Sequence, residues 1–275
     1  MVLLERLLNS TTKAVLTALA LLGLCLPAAA AQSVHVAAAA QSVHVAAAAN
    51  IKFALDDIAE RYQQQTGRQL KISYGSSGNF VAQIKHGAPF ELFLSADERY
   101  VEALADAGIT RDKGVVYAYG RLALVAPKNS PLKLDQELLG LQQALAAGQI
   151  KRFAIANPDH APYGERARAL LKQKGLWQEL QANLIYGENV SQAAQFALSG
   201  STQGGIVALS LAVAPQFQAR GHYLALPVDS HAPLTQRMVL LEKASDDAKA
   251  FYDYLQGQEA RQVFSAYGFA LPEGG

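Results

Sequence analysis

Four short segments carry the residue types that binding chemistry would use first: Ala49-Asn50, Ser76-Ser77-Gly78, Tyr163-Gly164 and Asn189-Val190-Ser191. Each sits where an apolar strand-like run gives way to a helical period. A helix starting there leaves its first backbone N–H groups without intrahelical acceptors, and its macrodipole puts partial positive charge at the same end. Together these features make an anion site that needs no Lys or Arg. Plain N-capping by Ser and Asn accounts for any one of the segments taken alone. Two in each half of the chain are better explained by convergence on one cleft.

Catalytic chemistry finds less support. Gly75-Ser76-Ser77-Gly78 departs from the nucleophile elbow G-x-S-x-G because its second glycine comes one residue early, so a hydrolase acting through Ser77 lacks its defining turn. The six histidines, His35, His44, His86, His160, His222 and His231, show no metal-ligand spacing and read as strand, surface or loop residues. No phosphate-binding loop or dinucleotide fingerprint is present. Tyr117, Tyr119, Tyr163, Tyr186 and Tyr223 are of the type that ligates ferric iron. That chemistry also wants adjacent carboxylate or His ligands, and most buried tyrosines are core. The expectation is no catalytic residue, no cofactor and no direct metal ligand.

The elements that must position the four segments alternate in type. Strand-like runs at 43–47, 70–74 and 91–95 are separated by helical periods at 51–66, through Val81 and Ile84 to Gly87, and at 99–107. Residues 117–126 form the longest strand-like run, ended by Pro127. The alternation then restarts with helix 138–147, strand 153–156, helix 165–174, strand 184–186, helix 191–198 and strand 205–208. A strand at 235–242 and helices around 251–255 and 260–267 finish the chain. This predicts an α/β fold with mostly parallel sheets flanked by helices. The four junctions then lie at the carboxyl ends of strands, where open sheets bind ligands. The restart implies two similar lobes, 41–122 with 235–275 and 123–234, the chain crossing back near 227–235.

Composition narrows the partners. With 24 Lys+Arg against 23 Asp+Glu, the net charge of +1 gives no reason to expect nucleic acid or an acidic membrane. Arg6 and Lys13 precede an apolar run of 13 residues, 14–26, shorter than the roughly 20 that span a bilayer. Pro27 and an alanine series then offer A-x-A cleavage ending at Ala31, so residues 1–31 read as a cleaved signal peptide. Cys25, the only cysteine, lies inside that leader behind Leu24, which is not the small residue a lipid-anchoring signal wants. The processed chain has no thiol, which suits an oxidising periplasm. The nine residues QSVHVAAAA occur in tandem at 32–40 and 41–49, and a second A-x-A ending at Ala40 offers cleavage after residue 40. Only the second copy is contiguous with the first helix, so it is the one expected to form the first strand.

The stretch AQIKHGAPFELFLSAD at 82–97 resembles a signature of the periplasmic molybdate-binding proteins of ABC importers. The resemblance continues through VAAAAN at 45–50, YGSSG at 74–78, YGRLALVAPK at 119–128, IANPDHAPYG at 155–164, GENVSQA at 187–193 and FYDYLQGQEARQVFSAYGF at 251–269. It implies a two-lobed type II binding-protein fold with the ligand cleft between the lobes. The oxyanion would be held through its oxygens by hydrogen bonds alone. Asn50 and Ser77 would offer backbone N–H groups from the first lobe, with the Ser77 hydroxyl added. Tyr163 and Val190 would do so from the second, with Ala49 and Ser76 as neighbours. One branch of the family has serine where Asn50 stands, takes its tyrosine from the position of Ala208 and has a small residue at 163; this chain follows the other branch. The resemblance further implies a monomeric periplasmic receptor for molybdate and tungstate, with a membrane permease and an ATPase as partners. The alternatives are another oxyanion such as sulfate, or a small hydrolase using Ser77. Lys85 and Arg166, a turn or so beyond two junctions, are not expected to matter for binding.

Overall fold

The second copy of the repeat becomes β1 (Val43–Ala48). Its alternation assigns Val43, Val45 and Ala47 to one core with Ile51, Ile58 and Phe251, and Ala46 to the opposite core with Phe80, Ile84 and Leu104. A strand buried on both faces needs no polar side, which is why the run is apolar apart from the half-buried His44. The computed structural model describes Ser42–Glu273; the leader, both cleavage points and the copy at 32–40 lie outside the described residues.

After a 3-10 turn, Ala49–Ile51, the chain forms α1 (Lys52–Thr66), which buries Ala54, Leu55, Ile58 and Tyr62 along one face. Gly67 closes it at φ 69°, its N–H donating to Gln63 O, a left-handed cap that favours glycine. β2 (Leu70–Gly75), α2 (Ser77–Lys85), β3 (Leu92–Ser95), α3 (Glu98–Ala105) and β4 (Val115–Gly120) complete this stretch. The second stretch runs β5 (Leu122–Pro127), α4 (Leu139–Ala146), β6 (Phe153–Ala156), α5 (Pro162–Gln173), α6 (Trp177–Leu180), β7 (Leu184–Gly187), α7 (Val190–Ala197), β8 (Gly204–Ala208), α8 (Leu209–Ala212), α9 (Pro215–Gln218) and β9 (Gly221–Ala225). β10 (Leu234–Leu240) returns to the first stretch, and α10 (Asp246–Gln256) and α11 (Gln258–Ala266) pack there.

Two five-stranded sheets result, in the orders β2-β1-β3-β10-β4 and β7-β6-β8-β5-β9. They are more mixed than the alternation predicts. β1 pairs parallel with β2 and β3, and β6 pairs parallel with β7 and β8, as β-α-β crossovers require. β10 and β5, the strands that carry the chain into or out of a lobe, pair antiparallel with both neighbours. No helical crossover ties their direction to the parallel set.

The single run at 117–126 is two strands. β4 belongs to the first sheet and β5 to the second, and the switch occurs at Arg121. Hydropathy hides the switch because both strands end in apolar surroundings. The return crossing is tied to this one: Arg121 donates to Leu226 O at 3.2 Å, and Leu226 N–H to Leu122 O at 3.0 Å. β9 was not anticipated, since Gly221-His222-Tyr223-Leu224-Ala225 is short and polar at its start.

Candidate functional site

The first-lobe junctions are built by β1 and β2. At the end of β1 the 3-10 turn buries Asn50, which is 1% exposed. Its carbonyl accepts the Ser210 hydroxyl at 2.8 Å, and its side-chain Nδ2 donates to Gln236 Oε1 at 3.0 Å and to the Tyr163 hydroxyl at 3.3 Å. At the end of β2, Ser76 caps α2 by accepting from Asn79 N–H at 3.4 Å. Ser77 follows, buried, its oxygen accepting Ala96 N–H at 3.0 Å. That bond uses a lone pair and leaves the hydroxyl proton free to donate.

The second-lobe junctions repeat the device. Asn189 caps α7, its Oδ1 accepting from both Ser191 and Gln192 N–H at 3.0 Å, which passes over Val190. α5 has no side-chain cap; Pro162 takes its first position and Tyr163 its second. Gly164 lets this helix start close to β6, since a Cβ there would lie 2.1 Å from Ala156 O. The backbone N–H groups of Asn50, Ser77, Tyr163 and Val190 take no protein acceptor among the described residues. Each is buried at a helix N-terminus, so each is a donor that a bound anion would complete. Ala49 is buried in the same turn as Asn50, and α7 packs against that turn.

Besides the Ser210–Asn50 bond, three sets of bonds join the lobes around these donors. In the first, the Tyr163 hydroxyl crosses to the first lobe and accepts from Asn50 Nδ2 and from Gln236 Nε2 at 3.1 Å. Gly120 makes room for it: a Cβ there would sit 2.2 Å from the Tyr163 oxygen and 2.5 Å from Gln236 Nε2. Burial pushes the Tyr163 phenol up, beyond what hydrogen bonds from Gln236 and Asn50 offset, so it stays neutral at physiological pH. In the second set, Gly78 N–H donates to His160 O at 3.0 Å, and the Ser76 hydroxyl meets His160 Nδ1 at 2.9 Å. The third is ionic. Arg166 meets Asp97 at 2.9 Å and Arg99 meets Glu165 at 2.8 Å, each pair crossing between the lobes. Burial raises the Asp97 carboxyl, but hydrogen bonds from Arg99 and the charges of Arg99 and Arg166 outweigh it and hold Asp97 below its ordinary value.

Several of these residues escaped the sequence reading. His160, read with the loop histidines, faces the first lobe; Tyr117 was weighed only as an iron ligand and Asp97 only as the end of the stretch at 82–97, while Gln236 and Ser210 carried no motif. Ser76, His160 and Glu188 are the types of a hydrolytic relay, with His160 Nε2 3.6 Å from Glu188 Oε2. Ser76 is on the opposite lobe from the other two and serves as a helix cap, so closure that assembles the relay also buries its serine. Ser77, the serine of the hydrolase alternative, bonds a backbone N–H and no histidine. Tyr117 and Tyr163 share Gln236 as partner rather than a carboxylate. Among the described residues, no group of three or more His, Cys, Asp or Glu is placed to hold a metal ion. Two surface hollows of about 810 and 490 Å³ lie elsewhere, the first around His44, Phe90 and Lys243 and the second around Lys128, Ser130 and Arg220. None of the four donor residues lines either.

Comparison with known proteins bears on what the site holds. The sequence profile described as bacterial extracellular solute-binding protein matches residues 43–270. A protein of Azotobacter vinelandii named molybdate-binding protein ModA is 36% identical over 226 residues, covering 81% of this chain and 87% of that one. One of the same name in Rhodobacter capsulatus is 34% identical over 263 residues, covering 94% and 96%. A solved structure, the Azotobacter vinelandii periplasmic molybdate-binding protein, superposes with a TM-score of 0.76 at 30% identity, over 84% of this chain and all of that one.

Proposed function

We propose that this chain, which belongs to the bacterial extracellular solute-binding proteins, is a periplasmic receptor that captures molybdate, and also tungstate, for an ABC importer. The observation that carries the reading is the set of four buried N–H donors, two from each lobe, passed over by the helix caps beside them. Hydrogen bonds to an ionised acceptor are roughly twice as strong as neutral ones, so uncharged donors suffice for a dianion in a cleft that excludes water. Closure would bury the ion and form the surface that the permease and its ATPase read. The receptor acts as a monomer, exported by a leader removed after Ala31 or after Ala40, and uses no cofactor. It carries out no covalent chemistry.

Selection among oxyanions would be by size. Sulfate and molybdate are both tetrahedral dianions near neutral pH, so the field of the helix ends treats them alike. Molybdate oxygens stand farther from their central atom, and donors from Asn50, Ser77, Tyr163 and Val190 set for them would not all reach sulfate. Each donor left buried and unpaired costs roughly 1–3 kcal/mol, and two would weaken binding by about a hundredfold or more. Calorimetric titration of ligand-stripped protein tests this. Molybdate and tungstate should bind within about tenfold of each other, and sulfate about a hundredfold more weakly. Sulfate within tenfold of molybdate would turn the reading to a sulfate receptor. Labelling of Ser77 or Ser76 by a fluorophosphonate, with no oxyanion bound, would turn it to a hydrolase.

A further inference from the structure

Gln236 is a polar side chain with 0% exposure in the middle of β10, the strand that returns the chain to the first sheet. Its oxygen accepts from Asn50 Nδ2 at 3.0 Å and from the Tyr117 hydroxyl at 2.8 Å, and its nitrogen donates to the Tyr163 hydroxyl at 3.1 Å. The backbone around it is adapted to this. The β10–β4 register jumps from Gln236↔Ala118 to Arg237↔Val116, so Tyr117 is the extra residue of a β-bulge. Bulges re-aim side chains beside functional sites. Here the bulged Tyr117 bonds both Gln236 and, at 3.2 Å, Ser95 O. Gly120 completes the space by lacking the Cβ that would collide with both Tyr163 and Gln236.

We infer that Gln236 is the positioning residue of the oxyanion site, setting the Asn50 turn in one lobe and receiving Tyr163 from the other when the cleft closes. The inference rests on the proposed binding function and deepens it. Two of the three bonds, to Asn50 and Tyr117, lie within the first lobe and hold whether the cleft is open or closed. The third, to Tyr163, exists only with the lobes together. Asn50 has little other restraint on its side chain: its Oδ1 is buried without a protein partner, so the amide is oriented by what its Nδ2 meets, Gln236 and Tyr163. Because Asn50 and Tyr163 each also offer a backbone N–H, a shift of either side chain moves a donor of the site. Gln236 need not touch the anion to do this.

The test is a double-mutant cycle with molybdate as the probe on the full mature protein stripped of ligand. Wild type is titrated first: no binding there would overturn the proposed function and with it a positioning role for Gln236, whereas wild-type binding with unaffected variants would overturn the positioning role alone. Given wild-type binding, Gln236→Met and Tyr163→Phe should each weaken molybdate about tenfold to a hundredfold, the loss expected for one or two buried hydrogen bonds. The double variant should lose less than the sum of the two singles, because both changes remove the same Gln236–Tyr163 bond. Stopped-flow mixing should assign the loss to faster dissociation with unchanged association, since the bond is made after encounter. A merely structural defect would lower the binding-competent fraction without changing the dissociation rate. Should Gln236→Met not fold, Gln236→Asn, which keeps an amide but ends one methylene short, takes its place in the cycle. Binding within twofold of wild type in the Gln236 variant, or additive losses in the double, would overturn the inference.

Discussion

Asn50, Tyr163 and Gln236 join the lobes with neutral amides and a phenol. Three residues further along the same helix as Tyr163, the same lobes are joined by charges, Asp97 and Arg99 on one side against Glu165 and Arg166 on the other. The two regions are neighbours on the helix face, yet they solve different problems. A surface meeting a dianion cannot carry a carboxylate, and burial keeps the Tyr163 phenol protonated there. The charged region can use carboxylates because its two negative groups face two positive ones and leave no net field. Arg166 also donates to Ala232 O and Pro233 O, at 3.2 and 3.3 Å, and pairs with Glu165 on its own helix at 3.1 Å. In the proposed reading, charge in this cleft closes the lobes and neutral donors hold the ion.

The neutral region should be the more sensitive to a misplaced charge. Ser77→Asp would put a carboxylate at a buried first-turn position beside an anion, and binding should vanish from calorimetric detection while the fold, judged by circular dichroism, persists. Measurable molybdate affinity in that variant would break the assignment of Ser77 to the site. The next largest effect is steric. Gly120→Ala places a methyl 2.2 Å from where the Tyr163 oxygen sits, so the phenol must leave Asn50 and Gln236. Loss of those two bonds should weaken molybdate by about ten- to a hundredfold. The ligand-free melting temperature should change less than the affinity, because the closer collision, with Tyr163, arises only on closure, while the Gln236 amide is the far end of a flexible side chain.

The charged region should respond more mildly and with an informative sign. Arg166→Ala leaves Asp97, 3% exposed, with only the half-exposed Arg99, and molybdate should weaken by about tenfold, one lost charge-assisted bond. This departs from the sequence-based expectation that Arg166 is a bystander. Asp97→Asn separates the two explanations. If Arg166 acted by attracting the anion, removing the opposing carboxylate would tighten binding; if the pair closes the lobes, Asp97→Asn loosens it as well. Weaker binding in both variants is the expected result, read by titration at fixed ionic strength.

Most of the scaffold could be read from periodicity, and the four candidate segments from their place at strand-to-helix junctions, whereas the single donor residue within each was implied by the family resemblance. Asn50, Ser77 and Val190 stand beside small or capping residues, which is a local signal. Gln236 had none: a lone glutamine in Leu234–Leu240 looks like the solvent side of an edge strand, and only the return of β10 between β3 and β4 buries it. His160 and Asp97 were illegible for the same reason, since their partners lie 84 and 69 residues away in the chain. The break at Arg121 was hidden because the residues on both sides of it form one strand-like run in sequence, although Tyr119 in β4 is exposed. Sequence showed where donors begin helices, and only the packed lobes show what holds those helices together.

The smallest effect is expected at Lys85, and it sharpens the contrast with Arg166. Both are cations on helices whose N-termini form the site, and both lie downstream of a donor. Lys85 ends α2, eight residues beyond Ser77, so its helix places it about 12 Å along the axis from that donor. It is exposed, and at physiological salt the screening length is about 8 Å, so its field at the cleft is largely spent. Arg166 is buried and fixed by Asp97 across the lobes. Lys85→Ala should therefore bind molybdate within about twofold of wild type, at low and at physiological salt, while Arg166→Ala stays weaker at both. Equal losses in the two variants, both fading as salt is raised, would mean that the site draws on the general positive field after all, and the division between neutral donors and paired charges would fall.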